Sequence, residues 1–94
     1  MFVSKAEYRV RAEFSDRNLE NIKAFLPLVY QRLKPSSSYS VAVSEDGRSF
    51  LHLFVHQAAE DTQVLAEISE FRHFLGEVME GCEAPPDMAV FQQI

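Results

Sequence analysis

The chain is predicted to be an α+β protein with the element order β-α-β-β-α-β. Three observations lead there. Residues 3–14 alternate between small or apolar and charged side chains. Apolar residues recur at helical spacing twice, from Leu19 to Leu33 and from Val64 to Met79. Between those two stretches an Asp46-Gly47 pair separates two further alternating runs.

The first strand puts Ser4, Ala6, Tyr8, Val10, Ala12 and Phe14 on one face and Lys5, Glu7, Arg9, Arg11 and Glu13 on the other. A period of two over this length predicts a strand with one buried face. Ser15-Asp16 supplies the chemistry of a helix N-cap. Leu19, Ile22, Leu26, Val29 and Leu33 then form the apolar stripe of a helix that ends near Lys34, ahead of Pro35. Pro27 lies inside it and predicts a kink or a break near Ala24 to Leu26, because proline removes a backbone donor and crowds the carbonyl of Lys23.

Residues 35–38 read as a loop, and Tyr39, Val41 and Val43 as one face of a second strand. Asp46-Gly47 predicts a tight hairpin turn with positive φ at both central residues. The third strand, Ser49 to Gln57, is apolar on both faces. Leu51, Leu53 and Val55 lie on one side, and Phe50, His52, Phe54 and His56 on the other. Such a strand needs cover on both faces. The second helix is predicted to run unbroken over residues 60–79. It would bury Val64, Leu65, Ile68, Phe71, Phe74, Leu75, Val78 and Met79, with Gly81 at C′. Residues 88–94 form the last strand.

Two right-handed crossovers turn this order into the ferredoxin-like arrangement, a four-stranded antiparallel sheet with two helices on one face. The other face carries apolar groups from the third and last strands. A second copy of the same face is the simplest cover, so a homodimer through the open sheet face is expected. Lys5, Glu7, Arg9, Arg11 and Glu13 must then pair with one another or lie at the interface rim.

Ninety-four residues make a single domain, residues 1–94. A chain this short buries roughly 60–65% of its unfolded surface, which is a further reason to expect association. The formal charge of −5 opposes nucleic acid and anionic membrane surfaces. No apolar run reaches membrane-spanning length. A single cysteine, Cys82, allows neither an internal disulfide nor a cysteine-based zinc site, and fits a reducing cytoplasm. The N-terminal residues lack the apolar core of a signal peptide.

The run from Phe50 to Asp61 (FLHLFVHQAAED), the Phe71-x-x-Phe74-Leu75 segment, and Pro85-Pro86 before a terminal strand resemble the antibiotic biosynthesis monooxygenase family. The resemblance covers essentially the whole chain and implies a dimeric α+β barrel. It also implies a pocket between sheet and helices for a small aromatic or quinone-like molecule, and oxygenation without a cofactor. His56 stands where the family pattern has a Trp, and Glu70 where it has a His. The haem-degrading branch uses an Asn in the first strand with that Trp and that His. Here the only Asn residues, Asn18 and Asn21, lie in the first helix, so haem degradation is not expected.

Within that frame His56 is the candidate catalytic base, with an imidazole that titrates near neutral pH. The alternative is a strand-end histidine held by hydrogen bonds. His52 lies on the same strand face, about 13 Å away, too far to share a metal ion with it. His73 is expected on the solvent face of its helix. No metal site is predicted. Glu70 is a candidate pocket-rim acid with a raised pKa, or else a solvated carboxylate. Phe54, Phe71 and Phe74 are candidate walls of a ligand cavity, or else filled core. The hydroxyls of Tyr8 and Tyr39 lie on buried faces from which they could reach a ligand. Two functions stand at this point: a cofactor-free monooxygenase, and a dimeric module that binds a small hydrophobic ligand, or nothing, without turnover. An RNA-recognition reading of the same element order needs exposed aromatics, for which Phe50 and Phe54 are the candidates.

Overall fold

A computed structural model describes residues 1–94. Strand β1 spans Phe2–Arg9, helix α1 Ser15–Arg32, β2 Ser38–Val43 and β3 Ser49–His56. A short helix α2 spans Gln63–Ala66, α3 spans Ser69–Gly81, and β4 spans Asp87–Gln92. The strands form one antiparallel sheet in the order β2-β3-β1-β4. The helices pack on one face, so the expected α+β ferredoxin-like architecture is present.

Register fixes which side chains share a face. Tyr8 pairs with Phe50, Ala6 with His52, Ser4 with Phe54, and Phe54 with Tyr39. This row lies under the helices, and Tyr8, Phe50, His52, Phe54 and His56 are all buried. Phe50 and Phe54 are 1% and 4% exposed, which removes the aromatic platform an RNA-recognition sheet requires. The opposite face carries Val3, Lys5 and Glu7 beside Val55, Leu53 and Leu51, with Phe91 and Ala89 across β1. Its charges pair locally: Lys5 with Glu7 (3.6 Å) and Asp87 (3.8 Å), and Arg9 with Asp46 (2.8 Å).

Several elements depart from the sequence reading. β1 ends at Arg9 rather than Phe14. Val10 makes one isolated bridge to Cys82, and residues 12–14 turn into α1 as a 3-10 segment. Ser15 does not cap the helix; its hydroxyl donates to the carbonyl of Gly47 at 2.6 Å. α1 runs without a break through Pro27. Both Pro27 and Lys23 are exposed, so the carbonyl that loses its donor faces water. The buried stripe of α1 is Asn18, Asn21, Ile22, Phe25 and Val29, while Leu19 points outward. In the β2–β3 turn only Gly47 has positive φ (75°); its N–H donates to the Ser44 carbonyl, and Ser44 and Ser49 close the loop. The turn is therefore longer than the two-residue hairpin expected.

The second helix is not continuous. It breaks at Glu67–Ile68, where Ile68 is extended (φ −90°, ψ 115°) and buried as the N-cap of α3. The break re-aims the chain. Phe71, Phe74 and Val78 enter the core, while Leu75 and Met79, expected inside, are 44% and 61% exposed.

Gly81 is the last residue of α3 rather than a left-handed C′. A Cβ there would stand 2.3 Å from the Phe14 ring, so its role is close approach. Gly76, in the exposed middle of α3, has nothing within 4 Å of such a Cβ. The pair makes a controlled prediction. Gly76→Ala is expected to stabilise by about 0.5–1 kcal/mol through helix propensity. Gly81→Ala is expected to destabilise by about 1–3 kcal/mol, because the clash outweighs the same propensity gain. Urea unfolding of both variants measures the two signs.

Candidate functional site

A cavity of about 610 Å³ opens between α3 and the sheet, with residues of all four strands in its lining. Its floor is Ser4, Ala6 and Tyr8 of β1 with His52 and Phe54 of β3 and Tyr39 of β2. Phe71, Phe74 and Val78 form its wall, and Leu65 and Ala66 close one end. The break at Ile68 is what folds α2 over that end. Leu75, Met79, Met88 and Val90 form an apolar mouth, each at least 44% exposed. The aromatic wall is braced from behind by Phe25, whose ring lies 4.9 Å from both Phe71 and Phe74.

Polar chemistry on this floor is concentrated in one chain of groups. His52 is 5% exposed, and both its ring nitrogens are engaged: Nε2 with the Tyr8 hydroxyl at 2.7 Å, and Nδ1 with the Tyr39 hydroxyl at 2.8 Å. Asn18, from α1, donates its Nδ2 to the same Tyr8 oxygen at 3.0 Å, while its own Oδ1 is buried without a partner. Burial lowers the His52 pKa from 6.5 to about 4, so the ring is neutral at physiological pH. Burial also raises both tyrosines well above the ordinary phenol value, with Asn18 partly offsetting this at Tyr8. The floor is therefore uncharged, yet rich in hydrogen-bonding groups.

His56 does not line the cavity. It is 2% exposed and packed between Phe2, which stacks on it, and Phe54, which is tilted against it, with centroid separations of 5.6 and 4.7 Å. Its Nδ1 donates to the Ala58 carbonyl at 2.9 Å, and its Nε2 lies 2.8 Å from the Ser4 hydroxyl. A carbonyl can only accept, so the neutral ring carries its proton on Nδ1 and Nε2 accepts from Ser4. His56 thus reaches the cavity through Ser4. Glu70 is exposed and away from the cavity. The Ser69 hydroxyl holds its carboxyl below the ordinary value, which fits the solvated carboxylate of the two readings and not the pocket-rim acid. His73 is exposed beside Glu77 at 3.1 Å.

The structure therefore gathers Tyr8, Tyr39, His52, Phe54, Phe71 and Phe74 around one space, and leaves His56 behind its floor and Glu70 outside. Sequence reasoning missed Ser4 and Asn18. For Asn18 the apolar spacing points to Leu19 instead, and its burial follows only from the Tyr8 hydroxyl it bonds. For Ser4 no local signal existed, because its role comes from the pairing of β1 with β3.

Neutral His52 links stability to pH. Its folded pKa lies below its unfolded value, so its contribution is complete above about pH 6.5 and is lost as pH falls towards about 4. The ceiling is roughly 3 kcal/mol. Urea-unfolding free energies at about pH 7 and about pH 4.5 should fall more steeply in the wild type than in His52→Asn, whose amide does not titrate in this range. Equal slopes would show that His52 charges freely in the folded state.

No family model matches the sequence, and no curated protein matches it. Solved structures do. An antibiotic biosynthesis monooxygenase superposes with a TM-score of 0.85 at 12% identity, covering 100% of this chain and 99% of that one. A proposed antibiotic biosynthesis monooxygenase from Nitrosomonas europaea gives the same TM-score, identity and coverage. An uncharacterized NIPSNAP domain protein from Burkholderia xenovorans matches with a TM-score of 0.68 at 13% identity, over 100% of this chain and 95% of that one. No helix is long and apolar enough to cross a membrane. The chain has the fold of the antibiotic biosynthesis monooxygenase proteins, and its cavity lies between the sheet and the helices of that fold.

Proposed function

We propose that this protein binds a small aromatic or quinone-like molecule in the cavity and acts on it as a cofactor-independent monooxygenase. The observation that carries the reading is the composition of the cavity. Apolar and aromatic walls suit a planar ligand, and a few polar groups on the floor orient it. Ser4 supplies an acceptor. Its proton is directed at His56, so its free lone pairs face a ligand hydroxyl, with the imidazole behind as the base. One of the Tyr8 and Tyr39 hydroxyls, the one not donating to His52, supplies a donor for a ligand carbonyl. A phenol or enol held between them loses its proton through Ser4 to His56, and the electron-rich anion is the species that reacts with oxygen.

Anthrone tests this directly. Binding is expected to shift the thermal unfolding midpoint upward, and turnover to consume one oxygen per anthraquinone formed. Ser4→Ala should lower the rate by about 10²-fold or more while leaving binding within a few-fold. The second reading, a binding module without turnover, rests on His56 and Glu70 in place of the family's Trp and His. Binding without oxygen uptake would establish it.

We also infer a homodimer paired through the open face of the sheet. Val3, Leu51, Leu53, Val55 and Phe91 form its apolar centre, and the paired charges of Lys5, Glu7 and Asp87 sit among them. Sedimentation is expected to give a dimer for the wild type and a monomer for Leu53→Lys, which sets a second cation directly opposite Lys5 at the centre of the face. A monomeric wild type at micromolar concentration would overturn it.

A further inference from the structure

Resting on that reading of the cavity, we propose that Tyr8, His52 and Tyr39 form a two-ended donor relay that selects an uncharged ligand carbonyl. The argument is a count of protons. The chain Asn18–Tyr8–His52–Tyr39 contains three hydrogen bonds. Asn18 supplies the first from its amide, so the Tyr8 proton remains. A neutral imidazole has one N–H and one lone pair.

With the proton on Nδ1, His52 donates to Tyr39 and accepts from Tyr8, and the Tyr39 proton is left over. With the proton on Nε2, His52 donates to Tyr8 and accepts from Tyr39, and the Tyr8 proton is left over. Both tautomers make the same three bonds. In each, one phenolic proton has no acceptor within the chain, and both tyrosines line the cavity. A ligand oxygen that accepts this proton chooses the end at which it appears.

The same count fixes the charge of the ligand. The low His52 pKa and the raised tyrosines keep the relay neutral across the physiological range. Other charged groups lie outside it. Lys5 borders the cavity, but its ammonium pairs with Glu7 and Asp87 on the opposite face of the sheet, and Glu77 is held by Asn21 and Arg17 of α1. No cation is directed at the floor to hold a carboxylate. The relay therefore suits the oxygen of a neutral aromatic ketone or quinone, whose acceptor strength one phenol donor matches.

The probes are 9-fluorenone and fluorene, which share a planar skeleton and differ by the carbonyl. Neither ionises. The wild type is expected to prefer fluorenone by about 3- to 10-fold, the worth of one neutral hydrogen bond. Tyr8→Phe and Tyr39→Phe should each keep most of that preference, because the donor moves to the other end. The double variant should lose it. If one single variant abolishes the preference and the other leaves it intact, the donor is fixed at one end and the relay is wrong. If both probes bind equally to the wild type, the cavity reading stands and the relay falls. If neither binds, the cavity reading falls, and the nitrogen-15 spectrum of His52 in the free protein decides the relay. Two neutral tautomers in exchange uphold it; one locked tautomer, or an imidazolium at neutral pH, overturns it.

Discussion

A histidine buried in an apolar core must find partners for both ring nitrogens or leave a desolvated polar atom behind. That constraint at His52 reaches across most of the molecule. Its partners come from β1 and β2, the two neighbours of β3, so the network pins three strands in one register. Asn18 ties α1 to the same point through Tyr8. Phe74 of α3 stacks on the imidazole at 5.4 Å, and Phe25 of α1 lies at 6.4 Å. A one-residue slip of β3 would move His52 to the open face and Leu51 or Leu53 beneath the helices, and every one of these contacts would be lost.

The cavity follows from how the helices meet this anchor. α1 covers β2 and β3 closely through Ile22, Phe25 and Val29. α3 is set over the middle of the sheet by Phe71 and Phe74, and beyond it β4 is left without a helix above. Met88 and Val90 point to that side and are 75% and 68% exposed. Within α3 the buried side is Phe71, Phe74 and Val78, and Leu75 and Met79 lie beside that stripe. The extended backbone at Ile68 buries its own side chain, and the two long residues lie at the mouth. The apolar surface is thus split between a core that holds the fold and a lined space that does not.

The architecture was legible because it is written in local periods. Alternation in β1 and β3 and the three-and-four spacing of both helices survive whatever the chain folds into, and they were enough for order and topology. The failures have a common cause: each depended on a tertiary partner. Hydrophobicity alone places the α1 stripe on Leu19 and Leu26 and cannot favour Asn18, whose burial makes sense only with Tyr8 in place. The break at Ile68 has no Gly or Pro to announce it. Of the site, the tyrosines, His52 and the three phenylalanines could be assigned to a buried face from strand parity and helix spacing. His56 and Glu70 become candidates only through the resemblance to a family pattern, which carries position but not the hydrogen bonds that turn His56 towards Ser4 and Ala58.

Stability alone is a poor account of the floor. Apolar side chains of similar shape at Asn18, Tyr8, His52 and Tyr39 would fill the same volume, and such replacements are often neutral or stabilising. The existing network costs the fold in two ways. The buried Oδ1 of Asn18 lacks a partner, a deficit of about 1–3 kcal/mol. One phenolic proton is left without an acceptor inside the chain in either tautomer of His52. Both deficits arise within one chain of groups whose histidine and tyrosines face the cavity, and the second is of a kind that a ligand oxygen corrects. A core assembled for rigidity would close its hydrogen bonds among its own atoms. A floor that leaves one donor open towards an apolar space fits the proposed ligand, whose oxygen would bring the missing acceptor.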